Sequence, residues 1–159
     1  GLMLMVFGLS HLAYLLVLPG EENSVLGAGL VLFLVVLTQA NDVAQFLWGK
    51  TLGKRKILPK VSPNKTWAGF IGGVLTTTVL AVLLAPLITP FTLTGSIIAG
   101  LYIGLTGFIG DVNISALKRD LNIKDTSALI PGHGGILDRV DSLTYTAPLF
   151  FHFARFFYF

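Results

Sequence analysis

The chain contains no cysteine, so neither a disulfide framework nor a thiolate metal site is open to it. It is also poor in charge. Only 12% of its 159 residues are Asp, Glu, Lys or Arg, against about 25% in a soluble domain. That leaves too little polar surface to clothe a soluble globule, and it excludes a soluble enzyme, a disordered tail and a coiled coil. The standard phosphate motifs are missing as well. There is no G-x-x-x-x-G-K-[ST] and no G-x-G-x-x-G after a strand. No H-E-x-x-H zinc pattern occurs, and Ser115 lacks the G-x-S-x-G setting of a serine hydrolase.

What the chain has instead is apolar length. Hydrophobic residues make up 53% of it, and mean hydropathy is +0.79. A membrane span needs about 20 predominantly apolar residues. Five stretches read this way, at 2–18, 25–48, 67–87, 93–117 and 137–159. The expected fold is therefore an all-α, polytopic integral membrane protein with about five transmembrane helices in one domain. The first stretch lacks a basic n-region and a clear cleavage site, so it reads as a span rather than a signal peptide. The chain opens on Gly1 rather than Met, which fits either a fragment lacking an upstream half or a processed start. Gly100, Gly104 and Gly107 read as close helix packing.

The few charges are placed selectively. Lys50, Lys54, Arg55, Lys56, Lys60 and Lys65 share one loop that contains no acid. The positive-inside rule puts that loop in the cytoplasm. The segment from Lys118 to Arg139 then falls on the same side, while Glu21 and Glu22 fall outside. The net charge of +3 is thus a local excess rather than a diffuse basic surface.

Two acids lie within apolar spans, Asp42 in the second and Asp111 in the fourth. An ionised Asp at the bilayer centre costs about 2.5–3.5 kcal/mol on insertion scales, so such residues face a cavity, a partner or an ion. A buried ion pair or a helix–helix hydrogen bond, with Asn41 or Asn113, is the plain alternative. Asp138 and Asp141 are three apart and share a helix face, with Arg139 between them. Before them runs Pro131-Gly132-His133-Gly134-Gly135, whose backbone N–H groups suit an anion nest, or simply a turn that His133 caps. Carboxylates hold Mg²⁺, and Lys and Arg neutralise phosphate. Both together favour phosphoryl or nucleotidyl transfer.

Ser115-Ala-Leu-Lys118-Arg119, Lys124-Asp125 and the run from Ile130 to Ser142 resemble the motif of the phosphatidate cytidylyltransferases. Ser62-Pro63-Asn64-Lys65-Thr66-Trp67-Ala68-Gly69 is similar to that family's upstream S-P-x-K-T-x-x-G element. The resemblance covers roughly Asn41 to Ser142. It implies CTP and phosphatidic acid as substrates, CDP-diacylglycerol and pyrophosphate as products, and Mg²⁺, with a second cation such as K⁺ left open. It also implies the metal pair Asp111 and Asp138. Lys118, Arg119, Arg139 and Asp141 join them as catalytic residues. Substrate binding then falls to Asp42, Ser62, Lys65, Thr66, Ser115, Lys124, Asp125, Gly132, His133, Gly134 and Gly135. The expected setting is a cell inner or plasma membrane, with the site facing the cytoplasm. The expected assembly is a homodimer among membrane lipids that binds no nucleic acid.

Two departures make a divergent paralogue one expectation. Where the family commonly shows Asp-Thr-x-Ala-Tyr, this chain reads Asp42-Val43-Ala44-Gln45-Phe46, and Val112 follows Asp111 in place of Leu. Rival readings are another CTP-dependent lipid enzyme (a polyprenol kinase or an ether-lipid CDP synthase), a cation transporter, or a non-catalytic membrane module.

Overall fold

The computed structural model describes residues 2–20, 23–59, 61–120 and 141–159. Among them are α1 (Leu2–Val17), α2 (Ser24–Leu52), β1 (Lys56–Leu58), β2 (Ser62–Thr66), α3 (Trp67–Ile88), α4 (Leu93–Asp120) and α5 (Asp141–Tyr158). By length and composition, α2, α3 and α4 can cross a bilayer, and α1 is a shorter apolar helix. The protein is an α-helical integral membrane protein.

α2 is the hub, packing against each of the other four helices. Its Leu30, Phe33, Leu34 and Leu37 are fully buried. At this end Phe33 meets Phe91 and Phe150, with ring centroids 5.7 and 5.9 Å apart. α3, by contrast, turns apolar residues outward. Trp67, Ile71, Leu75, Val79, Leu83 and Leu87 recur every fourth residue and are all more than half exposed. Such a stripe suits lipid rather than water. α3 and α4 approach closely at Gly100, where an added Cβ would lie 2.6 Å from the Thr78 Cα. This agrees with the packing role expected of that glycine.

α5 enters the bundle with hydroxyls as well as apolar groups. Ser142, Thr144 and Thr146 are buried beside Ala147, Phe150 and Ala154. Thr38 on α2 and Thr146 bring their hydroxyls to 3.2 Å.

The all-α expectation omits one element. The basic loop between α2 and α3 contains an antiparallel hairpin, with Lys56 opposite Thr66 and Leu58 opposite Ser62. Pro63 is tolerated because a two-stranded ribbon consists only of edges. α2 also runs past Trp48 to Leu52, as its polar last turn is satisfied locally when the Thr51 hydroxyl donates to the Leu47 carbonyl at 2.9 Å.

Candidate functional site

The hairpin is tied down at both ends. Gly53 caps α2, its N–H donating to the Gly49 carbonyl at 3.1 Å. The Trp67 N–H reaches the Arg55 carbonyl, also at 3.1 Å. Thr66 then starts α3 as its N-cap, with Oγ1 accepting from the Gly69 N–H at 3.1 Å. Two glycines make this junction possible. An added Cβ at Gly53 would lie 2.5 Å from Thr66 Oγ1, and one at Gly69 would lie 2.6 Å from the Gln45 carbonyl.

So anchored, the hairpin turns Lys65 back over the bundle. Its ammonium forms an ion pair with the Asp111 carboxylate and donates to Gln45 Oε1 at 3.0 Å. It also lies 5.2 Å from the centroid of the Phe108 ring. The Lys65 and Asp111 side chains are only 14% and 25% exposed. Removing one partner of such a pair strands the other charge, which is why both belong together.

A cavity of about 210 Å³ opens beside the pair. α2 supplies Asp42, Gln45 and Phe46. The hairpin supplies Ser62, Asn64, Lys65 and Thr66. Gly69, Phe70 and Asp111 complete it from α3 and α4. Asp42 is held by Ser142, whose hydroxyl donates at 3.2 and 3.0 Å to its two oxygens. Ser115, one turn beyond Asp111, donates to Asp111 Oδ1 at 3.3 Å. Two carboxylates from different helices, one ammonium, and hydroxyl and amide groups therefore share one space.

The sequence-derived residues divide accordingly. Asp42, Ser62, Lys65, Thr66 and Asp111 converge on the cavity. The Thr66 hydroxyl is engaged in capping α3. Ser115 supports Asp111 rather than lining the cavity. Lys118 and Arg119 occupy the last turn of α4. The Arg119 guanidinium donates from Nε to the Val61 carbonyl at 3.4 Å, bracing the hairpin. Lys124, Asp125, Gly132, His133, Gly134, Gly135, Asp138, Arg139 and the Asp141 side chain lie outside the described residues. Asn41 bonds elsewhere than to the acids: its Oδ1 accepts from the Thr77 hydroxyl at 3.2 Å and its Nδ2 donates to the Gly104 carbonyl at 3.4 Å. The sequence reading missed Gln45, Phe46, Asn64 and Phe70 as site residues. For Gln45 the available signal was its spacing of three from Asp42, which places both on one helix face.

The donor set fits a hard divalent cation. Asp42, Asp111, Ser62 and Asn64 offer oxygen at one cavity, and Mg²⁺ takes oxygen ligands while retaining waters. Among the described residues, no group of three or more His, Asp or Glu side chains forms a closed metal cage.

The profile of the Cytidylyltransferase family matches residues 1–157, and the chain belongs to that family. It is 54% identical over 156 residues to the uncharacterized protein YnbB of Escherichia coli K12, covering 98% of this chain and 52% of that one. It is 42% identical over 132 residues to the phosphatidate cytidylyltransferase of Haemophilus influenzae, covering 80% of this chain and 46% of the relative. Against the phosphatidate cytidylyltransferase of Bacillus subtilis the identity is 40% over 134 residues, covering 82% and 49%. The chain thus spans about half the length of the curated relatives it matches.

Proposed function

We propose that this chain carries the catalytic part of a Mg²⁺-dependent enzyme that makes CDP-diacylglycerol and pyrophosphate from CTP and phosphatidate. The observation that carries the reading is the convergence of Lys65, Asp111 and Asp42 on one cavity beside the basic hairpin. The names of the relatives from Haemophilus influenzae and Bacillus subtilis supply the reaction.

A phosphatidate oxygen attacks the α-phosphorus of CTP, the bond to the β-phosphate breaks, and pyrophosphate leaves. The nucleophile is already an anion, so no strong base is needed. The obstacle is bringing two polyanions together in line. Lys65 meets it by exchanging the Asp111 carboxylate for a phosphate oxygen. Asp42, fixed by Ser142, and Asp111, oriented by Ser115, hold the acidic wall in place. Mg²⁺, held by Asp111 with Asp138 or Asp42, would neutralise phosphate charge at the reacting centre. Phe46 links the cavity to the lipid side, because it lines the cavity while remaining 61% exposed. The acyl chains leave along that side. The basic residues Lys54, Arg55 and Lys56 at the hairpin support a cytoplasmic setting for the site.

The test is release of pyrophosphate from labelled CTP by the purified chain in phosphatidate-containing micelles. Asp111→Asn should lower turnover at least about 100-fold, the scale of losing a preorganised electrostatic group. Near-normal turnover in that variant at saturating Mg²⁺ sinks the assignment. The replacement of the family's usual Thr and Tyr by Val43 and Phe46 favours a second reading, a related lipid acceptor. Offering polyprenol alcohols beside phosphatidate decides between them.

A further inference from the structure

Among the described residues, Gln45 is the cavity residue whose buried side chain keeps a donor without a partner. The side chain is 5% exposed, and its Nε2 has no hydrogen-bond partner among the described residues. Its orientation is fixed rather than arbitrary. The Lys65 ammonium donates only, so the amide oxygen must face it, and that contact is 3.0 Å. The stem of the side chain packs where Gly73 on α3 has no Cβ. Held at both points, Gln45 lines the cavity beside Lys65, and its buried NH₂ is the end of the amide left without a partner among the described residues. A buried donor without an acceptor is costly in any protein interior, and more so at membrane depth. Such a group persists where a ligand satisfies it.

We infer that Gln45 is a phosphate-contacting residue, whose Nε2–H donates to a phosphate oxygen while its Oε1 steadies Lys65 against the same phosphate. The inference takes its substrate chemistry from the proposed function, but binding tests it without any turnover. The phosphate can belong to the nucleotide or to the lipid headgroup.

The experiment titrates the purified chain, in Mg²⁺ buffer, with inorganic pyrophosphate and separately with micelles containing phosphatidate. Gln45→Met keeps the length of the side chain and removes the donor. It should weaken binding of one probe by about tenfold or more, as expected for a hydrogen bond to a charged group. The probe that weakens identifies the source of the phosphate. The same change is then made in Lys65→Met. A further loss there shows a direct contact, because it persists without the lysine through which an indirect effect would act. If Gln45→Met binds both probes within twofold of the wild type, the inference falls. It falls also if the change costs nothing more once Lys65 is gone, since Gln45 then acts only through the lysine. Gln45→Ala is the second variant should methionine fail to pack. Absence of turnover in a wild-type chain that still shows this Gln45 dependence would overturn the proposed reaction and leave the contact standing.

Discussion

Thr66 separates a structural role from a ligand-binding one. Its hydroxyl caps α3 through the Gly69 N–H at 3.1 Å, and the residue is 7% exposed. Thr66→Val keeps the shape of the side chain and so its packing against Gly53. It removes the acceptor and orphans a buried N–H in the first turn. Loss of an N-cap costs typically about 1 kcal/mol, with a range of roughly 0.5–2. At about 1.4 kcal/mol per tenfold, the folding constant drops roughly fivefold. Thr66→Ala also deletes a methyl-sized group and should cost up to about 0.8 kcal/mol more. Unfolding by dodecyl sulfate in maltoside micelles, followed by fluorescence, reads this directly because Trp67 is the next residue. The folded fraction of Thr66→Val should bind pyrophosphate with an affinity within about twofold of wild type, because the hydroxyl is committed to the helix. An unchanged unfolding midpoint combined with a large loss of pyrophosphate affinity would refute this and make Thr66 a ligand contact.

Four further outcomes follow from the packing and the site. Gly100→Ala drives a Cβ to 2.6 Å from the Thr78 Cα and 2.8 Å from the Ala81 Cβ, and should destabilise by about 1–3 kcal/mol in the same unfolding assay. Gly104→Ala meets Val74 at 3.1 Å or more and should cost less. Asn41→Leu breaks links to Thr77 and Gly104. Yet the Thr77 hydroxyl, which shares its one proton between Asn41 and the Gly73 carbonyl 2.9 Å away, keeps the second acceptor, so the loss should be near 1 kcal/mol at about 0.6 per intramembrane hydrogen bond. A loss above about 3 kcal/mol would contradict that accounting. Chelating Mg²⁺ should abolish nucleotidyl transfer while leaving the unfolding midpoint in place, since helix packing and the Lys65–Asp111 pair already hold the hairpin; a large fall in the midpoint would point to a structural cation instead.

The helices were legible because a bilayer demands length and hydropathy from each span separately. α3 begins at Trp67 as read, and α1, α3 and α4 end within three residues of the expected limits. The hairpin was not legible. Its first strand is three residues long, and Ser62-Pro63-Asn64-Lys65-Thr66 has no apolar alternation to announce a second. The charges of the site were visible one by one, since Asp42 and Asp111 interrupt apolar runs. Their partners were not. Lys65 reaches Asp111 across 46 positions of sequence only because the α2–α3 loop folds back, and periodicity carries no information about that return.

α2 shows why a neutral residue escaped notice. Thr38, Asn41, Asp42 and Gln45 stand at i, i+3, i+4 and i+7, so they form one polar seam on a helix otherwise read as a hydrophobic span. Each rung meets a different neighbour: Thr146 on α5, Thr77 on α3 with Gly104 on α4, Ser142 on α5, and Lys65 on the hairpin. The chemistry is graded along about 10 Å of helix, at 1.5 Å per residue. Hydroxyl meets hydroxyl at the deepest rung, amide meets hydroxyl and carbonyl next, and ionised groups come only at the end nearest the basic hairpin. Charge is cheapest to keep where phosphate and water can reach it, and neutral pairs tolerate the depth that carboxylates do not. The seam therefore orients α2 among its neighbours and delivers Asp42 and Gln45 to the cavity at the same time. A polar-to-apolar change at Thr38 or Asn41 should accordingly disturb packing first, and one at Gln45 should disturb binding first.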